Sequence, residues 1–476
     1  MTPLHVRRQF PYFPHYYYIS YGKMGDPNGY PCSHEGGHKG ALTFCGLDLP
    51  DDHFYDHHLT NATIERLDYA NSNLRSTGQP FFIAAGFARP HVPFQAPARF
   101  YGLYESGEGP PALPKHTTAP NDMPAFAYPD HVDNHGYDFY TSEDGVEYGH
   151  RVDSPLPDDV AKRARRAYFA AVSFVDYEVG RLLDQLERHG LEDETIVCFH
   201  SDHGFHLGES NIWAKYNNFE LSTRVPLIVR APYARAYTAG RTSTLLAELV
   251  DVYPTLVDLA SPHSLDELMS LTNDTLDGVS LVPAFADPSL TWIPAQGVTE
   301  NKTRAFSQYP RPGQITKSAS GAVCPWSVGG TCSDTRQNVT TIDPKSCSLC
   351  ASKAGHRVGF SMRTRDRRLT VWVRDEAATQ LFVPPEQWAS DYMELYDSSD
   401  DFDEMDRINV AYHSNRSTEA KDLYSRLKTA LALPTPDVAL CKGFCESKHH
   451  NILWDEKCHW ENCRHCSQCA AHHRNS

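Results

Sequence analysis

Residues 195–204 read TIVCFHSDHG, and this stretch decides the predicted fold because it joins a strand pattern to chemically active side chains. The run Thr195–Phe199 has the length and β-branched content of a buried strand, and Gly190 ends a long helical pattern before it. In open α/β sheets, ligands bind beyond the carboxyl ends of the strands. Asp202 and His203 therefore lie where catalytic or metal-binding side chains are expected.

A lysine follows this stretch in Trp213-Ala214-Lys215-Tyr216. A carboxylate beside a neutral imidazole suits a hard divalent cation, and a lysine close by suits an anionic substrate. On its own, Ser-Asp-His-Gly is more often a capped turn with an ordinary loop histidine. Because Lys215 follows, and because a second candidate segment occurs at Gly86–Phe94, we interpret the stretch as part of a functional site.

Strand and helix patterns alternate over about the first 290 residues. The predicted elements are strands at Pro80–Gly86 and Val225–Val229, a helix from Asp158 and an amphipathic helix over Leu245–Leu259. The helix from Asp158 carries apolar residues at helical spacing: Tyr168, Val172, Val175, Val179, Leu182, Leu183 and Leu186. The proline-rich stretch 97–157 is long enough to shape a substrate cleft. This alternation predicts an α/β fold with a mostly parallel sheet flanked by helices.

From about residue 305 the pattern changes to short strands that follow one another closely. The predicted elements are strands at Phe360–Met362, Leu369–Val373 and Tyr392–Tyr396 and a closing helix over Thr418–Leu431. The basic stretch Arg365–Arg368 is the predicted turn between the first two strands. These elements predict a small antiparallel C-terminal subdomain with one helix.

The sequence predicts three units: a catalytic domain at 1–290, the antiparallel subdomain at 291–433 with a Cys-containing insertion, and a Cys/His-rich tail at 434–476. The tail cysteines could bind zinc with neighbouring histidines or form disulfides, and we favour disulfides in an oxidising compartment. Because the chain has 13 cysteines, at least one is unpaired in a monomer. Cys198, inside the predicted buried strand, is the candidate.

The segment around Asp202 resembles the sulfatase family, and within it the members that act on sulfated uronate sugars. Further matching stretches occur in the family's order between about Ile19 and Leu431: Tyr21-Gly22-Lys23, Gly86–Phe94, Ala305–Pro312, Met362-Arg363-Thr364 and Tyr392–Asp397. The resemblance implies an alkaline-phosphatase-like fold. It also implies a sulfuric ester hydrolase that removes sulfate from uronate sugars of glycosaminoglycans or similar polysaccharides.

The resemblance also assigns roles to site residues. Asp202 and His203 would bind one calcium ion, and Lys23, His91 and Lys215 would surround the sulfate. One of the two lysines or His91 would serve the leaving group. Lysine supplies compact positive charge, and an imidazole can donate a proton near neutral or acidic pH, so the assignments agree with the chemistry.

Two family features are not found in this sequence: a strand ending in an Asp-Asp metal pair, and a Cys-x-Pro-Ser-Arg segment whose cysteine becomes the formylglycine nucleophile. Asp51-Asp52 follows the lysine segment and precedes a helical pattern, so we do not assign it to the metal. Asp26 follows Lys23 where close relatives carry a histidine. We therefore expect an N-terminally shortened sulfatase whose nucleophile and remaining metal ligands come from a preceding segment.

Two other hypotheses stay open. The protein could be a catalytically silent sulfatase-like glycoprotein that binds sulfated sugars, which the missing nucleophile and added tail would favour. It could also be a phosphodiesterase or phosphonate hydrolase of the same superfold, since fold similarity does not separate sulfate from phosphate substrates.

Composition narrows the partners and the compartment. A net charge of −16 argues against nucleic-acid binding, and no apolar run approaches the length of a membrane span. Five Asn-x-Ser/Thr sites and 13 cysteines favour the secretory route, and hence a lysosomal or secreted protein, although Met1–Tyr18 shows no signal peptide. A cytosolic protein with accidental glycosylation motifs is the alternative.

Overall fold

The computed structural model describes residues 44–92, 94–104, 111–124, 127, 155–232, 240–261, 276–294, 301–311, 315–317, 323–325, 356–375, 390–397, 406–411 and 416–431. Lys23, the Cys/His-rich tail and three of the five glycosylation motifs lie outside the described residues. The same holds for most of the Cys-containing insertion. In the described part of the chain, no helix is long and apolar enough to span a membrane.

Seven α-helices occur in the described residues. They are α1 (Tyr55–Thr77), α2 (Ala98–Gly102), α3 (Asp158–Arg188), α4 (Glu220–Thr223), α5 (Val252–Ala260), α6 (Val282–Ala286) and α7 (Ser417–Leu431). Short 3₁₀ turns lie at Asp51–His53, Glu209–Asn211 and Leu249–Asp251. The predicted helices from Asp158 and over Thr418–Leu431 are confirmed as α3 and α7.

The described strands number fourteen. They are β1 (Phe44–Leu47), β2 (Phe94–Pro97), β3 (Val197–His200), β4 (His206–Leu207), β5 (Trp213–Ala214), β6 (Leu227–Arg230), β7 (Ile293–Pro294), β8 (Asn301–Lys302), β9 (Ala305–Arg311), β10 (Ile315–Lys317), β11 (Val323–Pro325), β12 (His356–Arg363), β13 (Arg367–Asp375) and β14 (Ser390–Asp397). The predicted strands at 195–199 and 225–229 are confirmed as β3 and β6, but β3 is not buried as predicted, because Phe199 is 39% exposed.

Helices and strands are mixed in the first part of the chain, and an antiparallel sheet forms in the last part, so the α/β class with an antiparallel C-terminal sheet is confirmed. The expected parallel pairing is present between β1 and β2, whereas β3 and β6 pair antiparallel. The C-terminal sheet has the strand order β14-β13-β12-β9, and all its pairs are antiparallel.

Helix α3 packs on the β1–β2 pair through small residues rather than through the apolar positions predicted for it. Ala164, Ala167, Ala170 and Ala171 are fully buried, as is Phe174. The predicted face was wrong in part, because the side chains of Val172 and Leu183 are 43% and 40% exposed. Alanine lets the helix backbone approach the sheet closely, so the larger apolar residues at those two positions turn outward.

Enlarging this alanine stripe is expected to destabilise the fold. Ala167→Leu should lower the free energy of unfolding by about 1–3 kcal/mol, because the added methylenes have no space beside Phe94 and Ala170. Val172→Ala should change it by only about 0.5 kcal/mol, since that side chain is exposed. Urea unfolding followed by circular dichroism measures both. A larger loss in Val172→Ala would contradict the buried face.

Two predicted elements differ from the structure. Residues 80–86 form no strand: no described segment pairs with them, and Phe82 is 82% exposed. The pattern has strand-like composition, but a strand requires a hydrogen-bonded neighbour. The helix predicted over Leu245–Leu259 begins only at the 3₁₀ turn from Leu249, because Glu248 and Asp251 form a capping box that starts it there.

The C-terminal sheet follows the prediction. Strands β12, β13 and β14 lie at the predicted places, and the turn between β12 and β13 closes with the Thr364 amide donating to the Arg367 carbonyl at 2.8 Å. Helix α7 buries Ala420, Leu423 and Leu427 against one face of the sheet. The predicted basic turn was too long, because Arg367 and Arg368 belong to β13.

Candidate active site

Strand β3 leads into the segment that carries Asp202 and His203. The Ser201 hydroxyl donates to the His203 carbonyl at 2.8 Å, and the His203 amide donates to Asp202 Oδ1 at 3.0 Å. The Gly204 amide donates to the Ser222 carbonyl at 2.9 Å, so the turn is fixed by local bonds and by one bond to helix α4. The Asp202 side chain is 81% exposed, so its carboxylate is open to a ligand.

The hairpin of β4 and β5 returns the chain so that Lys215 meets His203. The Lys215 ammonium lies 2.6 Å from His203 Nε2. Because His203 Nδ1 donates to the Gly204 carbonyl at 2.9 Å, we assign the proton to Nδ1, and Nε2 accepts from Lys215. Asp202 Oδ2 lies 3.3 Å from the same Nε2. Partial burial lowers the pKa of Lys215, and the negative charge of Asp202 opposes that shift.

His91 reaches the same place from the loop before β2. The loop is held by Asp56, whose carboxylate accepts from the amides of Ala88 and Arg89, and by the buried Arg89 guanidinium, which donates to the His91 carbonyl. His91 Nδ1 donates to the Val92 carbonyl at 2.7 Å, which fixes the orientation of the ring.

The electrostatic surroundings of His91 connect it with the other site residues. Partial desolvation lowers the pKa of His91, although its side chain reaches solvent, and its electrostatic interactions with Lys215, Arg89 and His203 lower it further. The structure therefore brings Asp202, His203 and Lys215 together and places His91 within electrostatic range of them, so four of the five predicted site residues are neighbours. Two imidazoles and a lysine around one exposed carboxylate can attract an anion, bind a cation and exchange protons.

A second cluster of candidate ligands was not predicted from the sequence. Asp51, His57 and Glu178 place ligand atoms within 4.8 Å of one another, which meets the distance condition for a metal site. Arg99 and Arg181 bind the two carboxylates, however, so the charge is already balanced and a divalent cation would have to displace a guanidinium. Sequence reasoning set Asp51 aside, and no local pattern links three residues so far apart along the chain.

His206 is also a residue that the sequence pattern did not single out. It lies in β4 and is buried, and its ring centroid is 6.3 Å from that of Phe219. Burial lowers the pKa of His206, because the protonated ring loses its hydration, and the negative charges of Glu209 and Asp406 oppose that shift.

Because His206 is buried, the stability of the protein should decrease as the pH is lowered. The unfolded chain takes up the His206 proton near an ordinary pKa of about 6.5, whereas the native state takes it up only at lower pH. Stability should therefore fall as pH drops below about 6.5, by at most about 1.4 kcal/mol per pH unit from this group.

The variant His206→Phe should lose less melting temperature than the native protein between about pH 7 and pH 5. Differential scanning fluorimetry measures the difference. The exposed His53, changed to Phe, is the control and should leave the profile as it was. Identical profiles for the His206 variant and the native protein would refute this account.

Two described glycosylation motifs differ in their access. Asn61 lies on helix α1, and its amide oxygen accepts a hydrogen bond from Arg181 at 2.5 Å. Asn61 is therefore a poor site for attaching a glycan in the folded chain. Asn301, at the start of β8, is exposed and suits a glycan better. Cys198 is free and partly buried, as predicted, and burial raises the pKa of its thiol.

Comparison with known proteins identifies relatives. The sequence profile of the sulfatase family matches residues 13–262. Human iduronate 2-sulfatase is 32% identical over 353 residues, which are 69% of this chain and 57% of that protein. The choline-sulfatase of Rhizobium meliloti strain 1021 is 35% identical over 248 residues, 51% of this chain and 43% of that protein. This chain therefore spans about half of the length of these relatives.

Two solved structures share the fold. One is of a protein in complex with its substrate D-glucosamine-2-N,6-O-disulfate, with a TM-score of 0.51 and 19% identity, covering 79% of this chain and 69% of that chain. The other is the phosphonate monoester hydrolase of Agrobacterium radiobacter, with a TM-score of 0.51 and 20% identity, covering 82% of this chain and 63% of that chain. At such identities the similarity concerns the fold alone.

Proposed function

Because this chain belongs to the sulfatase family, we propose that the protein is a sulfuric ester hydrolase acting on sulfated uronate sugars of glycosaminoglycans or similar polysaccharides. The observation that carries the proposal is the meeting of His91, His203 and Lys215 around the exposed Asp202. A sulfate ester is anionic, and its hydrolysis builds charge on the leaving oxygen. Cationic and imidazole groups at one place can serve both requirements.

Each described residue has a proposed part in the reaction. Lys215 binds a sulfate oxygen, and its ammonium stays fixed because His203 Nε2 accepts one of its hydrogens. His91 is oriented by the hydrogen bond from its Nδ1 to the Val92 carbonyl. By family resemblance, a formylglycine oxygen would attack sulfur and break the bond from sulfur to the leaving oxygen, and a proton from His91 or Lys215 would pass to that oxygen. Lys23 is proposed as a further sulfate contact by family resemblance.

Sulfatases are metal-dependent, and we propose that Asp202 and His203 contribute to a calcium site. The Asp202 carboxylate fits, because it is a hard oxygen donor open to solvent. His203 is a softer donor, and its Nε2 already contacts Lys215. When bound, calcium would offset the negative charge of the sulfate group. We prefer this pair to the Asp51 cluster, whose carboxylates are bound by arginines.

The Asp202 assignment predicts a loss of calcium affinity. Asp202→Ala should require about tenfold to hundredfold more calcium than the native protein for the same rise in melting temperature. The matched control is Asp52→Ala, which also removes an exposed carboxylate next to a histidine. If both variants respond to calcium like the native protein, Asp202 is not a ligand.

Substrate, compartment and unit boundaries are further parts of the proposal. The uronate preference is supported by the identity to iduronate 2-sulfatases from human and mouse. A lysosomal or secreted location is also proposed, and the exposed glycosylation motif at Asn301 supports it. The division into 1–290, 291–433 and 434–476 is proposed from the sequence, and the core shared by the C-terminal sheet and α7 supports the second unit.

Sulfate release tests the proposed reaction. A version of the protein that carries a formylglycine segment is purified and incubated with 4-nitrophenyl sulfate and with a 2-O-sulfated iduronate disaccharide, beside 4-nitrophenyl phosphate, a phosphodiester and a phosphonate monoester. Faster release from the sulfated substrates supports the proposal. Faster cleavage of a phosphorus ester would replace it with the phosphodiesterase or phosphonate hydrolase alternative. Binding of the disaccharide with no turnover would replace it with a silent binding protein.

A further inference from the structure

The segment that follows Lys215 is fixed by the C-terminal sheet. The Asn218 side-chain amide donates to the Gly359 carbonyl of β12 at 2.9 Å, and the Asn218 carbonyl accepts from Arg368 of β13 at 3.0 Å. The Glu220 amide donates to Asp406 Oδ2 at 3.0 Å. Three hydrogen bonds therefore hold the chain just beyond Lys215 to residues far away in sequence.

Arg368 and Asp406 form the centre of this contact. Their side chains are only 3% and 9% exposed, and Arg368 binds Asp406 Oδ1 through Nε at 3.0 Å and through its second terminal nitrogen at 2.7 Å. The guanidinium also lies over the rings of Phe219 and Tyr396, at 4.6 and 4.9 Å from their centroids. Asp406 therefore links Arg368 of β13 to the Glu220 amide, and Arg368 also links β13 to the Asn218 carbonyl.

Neighbouring side chains restrict the conformation of Arg368 and Asp406. Glu394 accepts from the Trp372 indole and the Tyr396 hydroxyl, both at 2.6 Å, which fixes the ring beneath Arg368. A Cβ atom at Gly359 would lie 2.9 Å from Trp372 and 3.0 Å from the Asn218 amide, so this close approach requires glycine. The contact is therefore specific in shape as well as in charge.

The chain at Lys215 needs such support. Ala214, directly before Lys215, has a φ of 74°, in the left-handed region that alanine adopts at a cost. Lys215 itself lies in a turn outside helix and strand, closed by the Asn217 amide donating to the Lys215 carbonyl at 2.9 Å. Local propensity does not favour this conformation, so contacts with other segments maintain it. Strand β4 pairs with Ala214 on one side, and the bonds of Asn218 and Glu220 hold the other side.

We propose that Arg368 and Asp406 are positioning residues that hold Lys215 against His203, so that the C-terminal sheet is a working part of the active site. This inference rests on the proposed role of Lys215. Neither Arg368 nor Asp406 touches the anion site: both act through Asn218 and Glu220.

The test follows Lys215 itself rather than turnover. The full chain is treated briefly with a lysine-acylating reagent at one fixed pH, and the modified fraction of Lys215 is measured by peptide mass spectrometry. In the native protein Lys215 is partly buried and contacts His203, so it should react slowly. In Arg368→Lys and Asp406→Asn, the modification rate of Lys215 should rise at least about threefold, towards that of the exposed Lys421, because the released side chain regains solvent.

Arg367→Lys is the matched control, since Arg367 is the neighbour on β13 and pairs with Asp397 and Glu419 instead of the Lys215 segment. Lys215 in this control should be modified at the native rate. Asn218→Ala, which keeps the buried ion pair, carries the test if Arg368→Lys does not fold. An unchanged modification rate of Lys215 in the folded variants, even with a lower melting temperature, overturns the proposal.

The same samples separate this inference from the proposed function. A native protein that releases no sulfate refutes the proposed reaction, but leaves the modification rate of Lys215 as a valid measure of positioning. A sulfatase whose Lys215 modification rate does not respond to the variants refutes positioning and leaves the reaction intact.

Discussion

Lys215→Ala is expected to lower kcat/KM for sulfate release from 4-nitrophenyl sulfate by about 10²- to 10⁴-fold. The loss is large because Lys215 is partly buried beside His203, where its charge is screened less than at the surface. The variant also removes one of the two described proton donors proposed for the leaving oxygen. Steady-state rates over a range of substrate concentrations measure the effect.

An exposed lysine provides the comparison. Lys421 lies on the solvent side of α7, and Lys421→Ala should keep kcat/KM within about twofold of the native value. Both variants should have native circular dichroism spectra. If Lys215→Ala retains more than about a tenth of the native activity, Lys215 has no central part in the reaction.

Arg368→Met is expected to lower the free energy of unfolding by about 3–5 kcal/mol. Methionine fills much of the space of the arginine stem, but it leaves the buried carboxylates of Asp406 and Glu394 without their cation. Burial already raises the pKa of Glu394, and the charge of Arg368 opposes that rise. Chemical unfolding in guanidinium chloride, with the midpoint and slope both fitted, measures the loss.

The adjacent arginine makes the matched experiment. Arg367→Met removes a guanidinium from the same strand, but Arg367 is partly exposed and pairs with the half-exposed carboxylates of Asp397 and Glu419. Pairs of this kind contribute little, so the change should be about 0–1 kcal/mol. Equal losses for the two variants would mean that the buried ion pair has no special contribution to stability.

Periodicity in the sequence was sufficient for elements whose burial is set locally. The run Thr195–Phe199, the pattern of α7 and the apolar run in β13 each predicted the observed element. The strand at 80–86 was wrong because composition alone does not supply a hydrogen-bonded neighbour. In α3 the period was right but the face was wrong at Val172, since close packing against β1 and β2 selected alanine.

The site depended on a different kind of information. Asp202 and His203 could be located from the end of a strand, but the approach of His91 and Lys215 came from family resemblance, and the sulfatase assignment itself is confirmed. Ion pairs between residues far apart in the chain could not be predicted from local sequence patterns. Arg368 was interpreted as part of a basic turn, yet it is buried against Asp406, because partner and burial are fixed only by the tertiary fold.

An experimental structure of the protein with inorganic sulfate tests the central claim most directly, since that claim is that separate segments build one anion site. We predict a sulfate oxygen about 2.7–3.2 Å from the Lys215 ammonium, with His91 and His203 facing the same ion. A sulfate that contacts none of these side chains, or a separation of His91 from Lys215 wider than the ion, would contradict it.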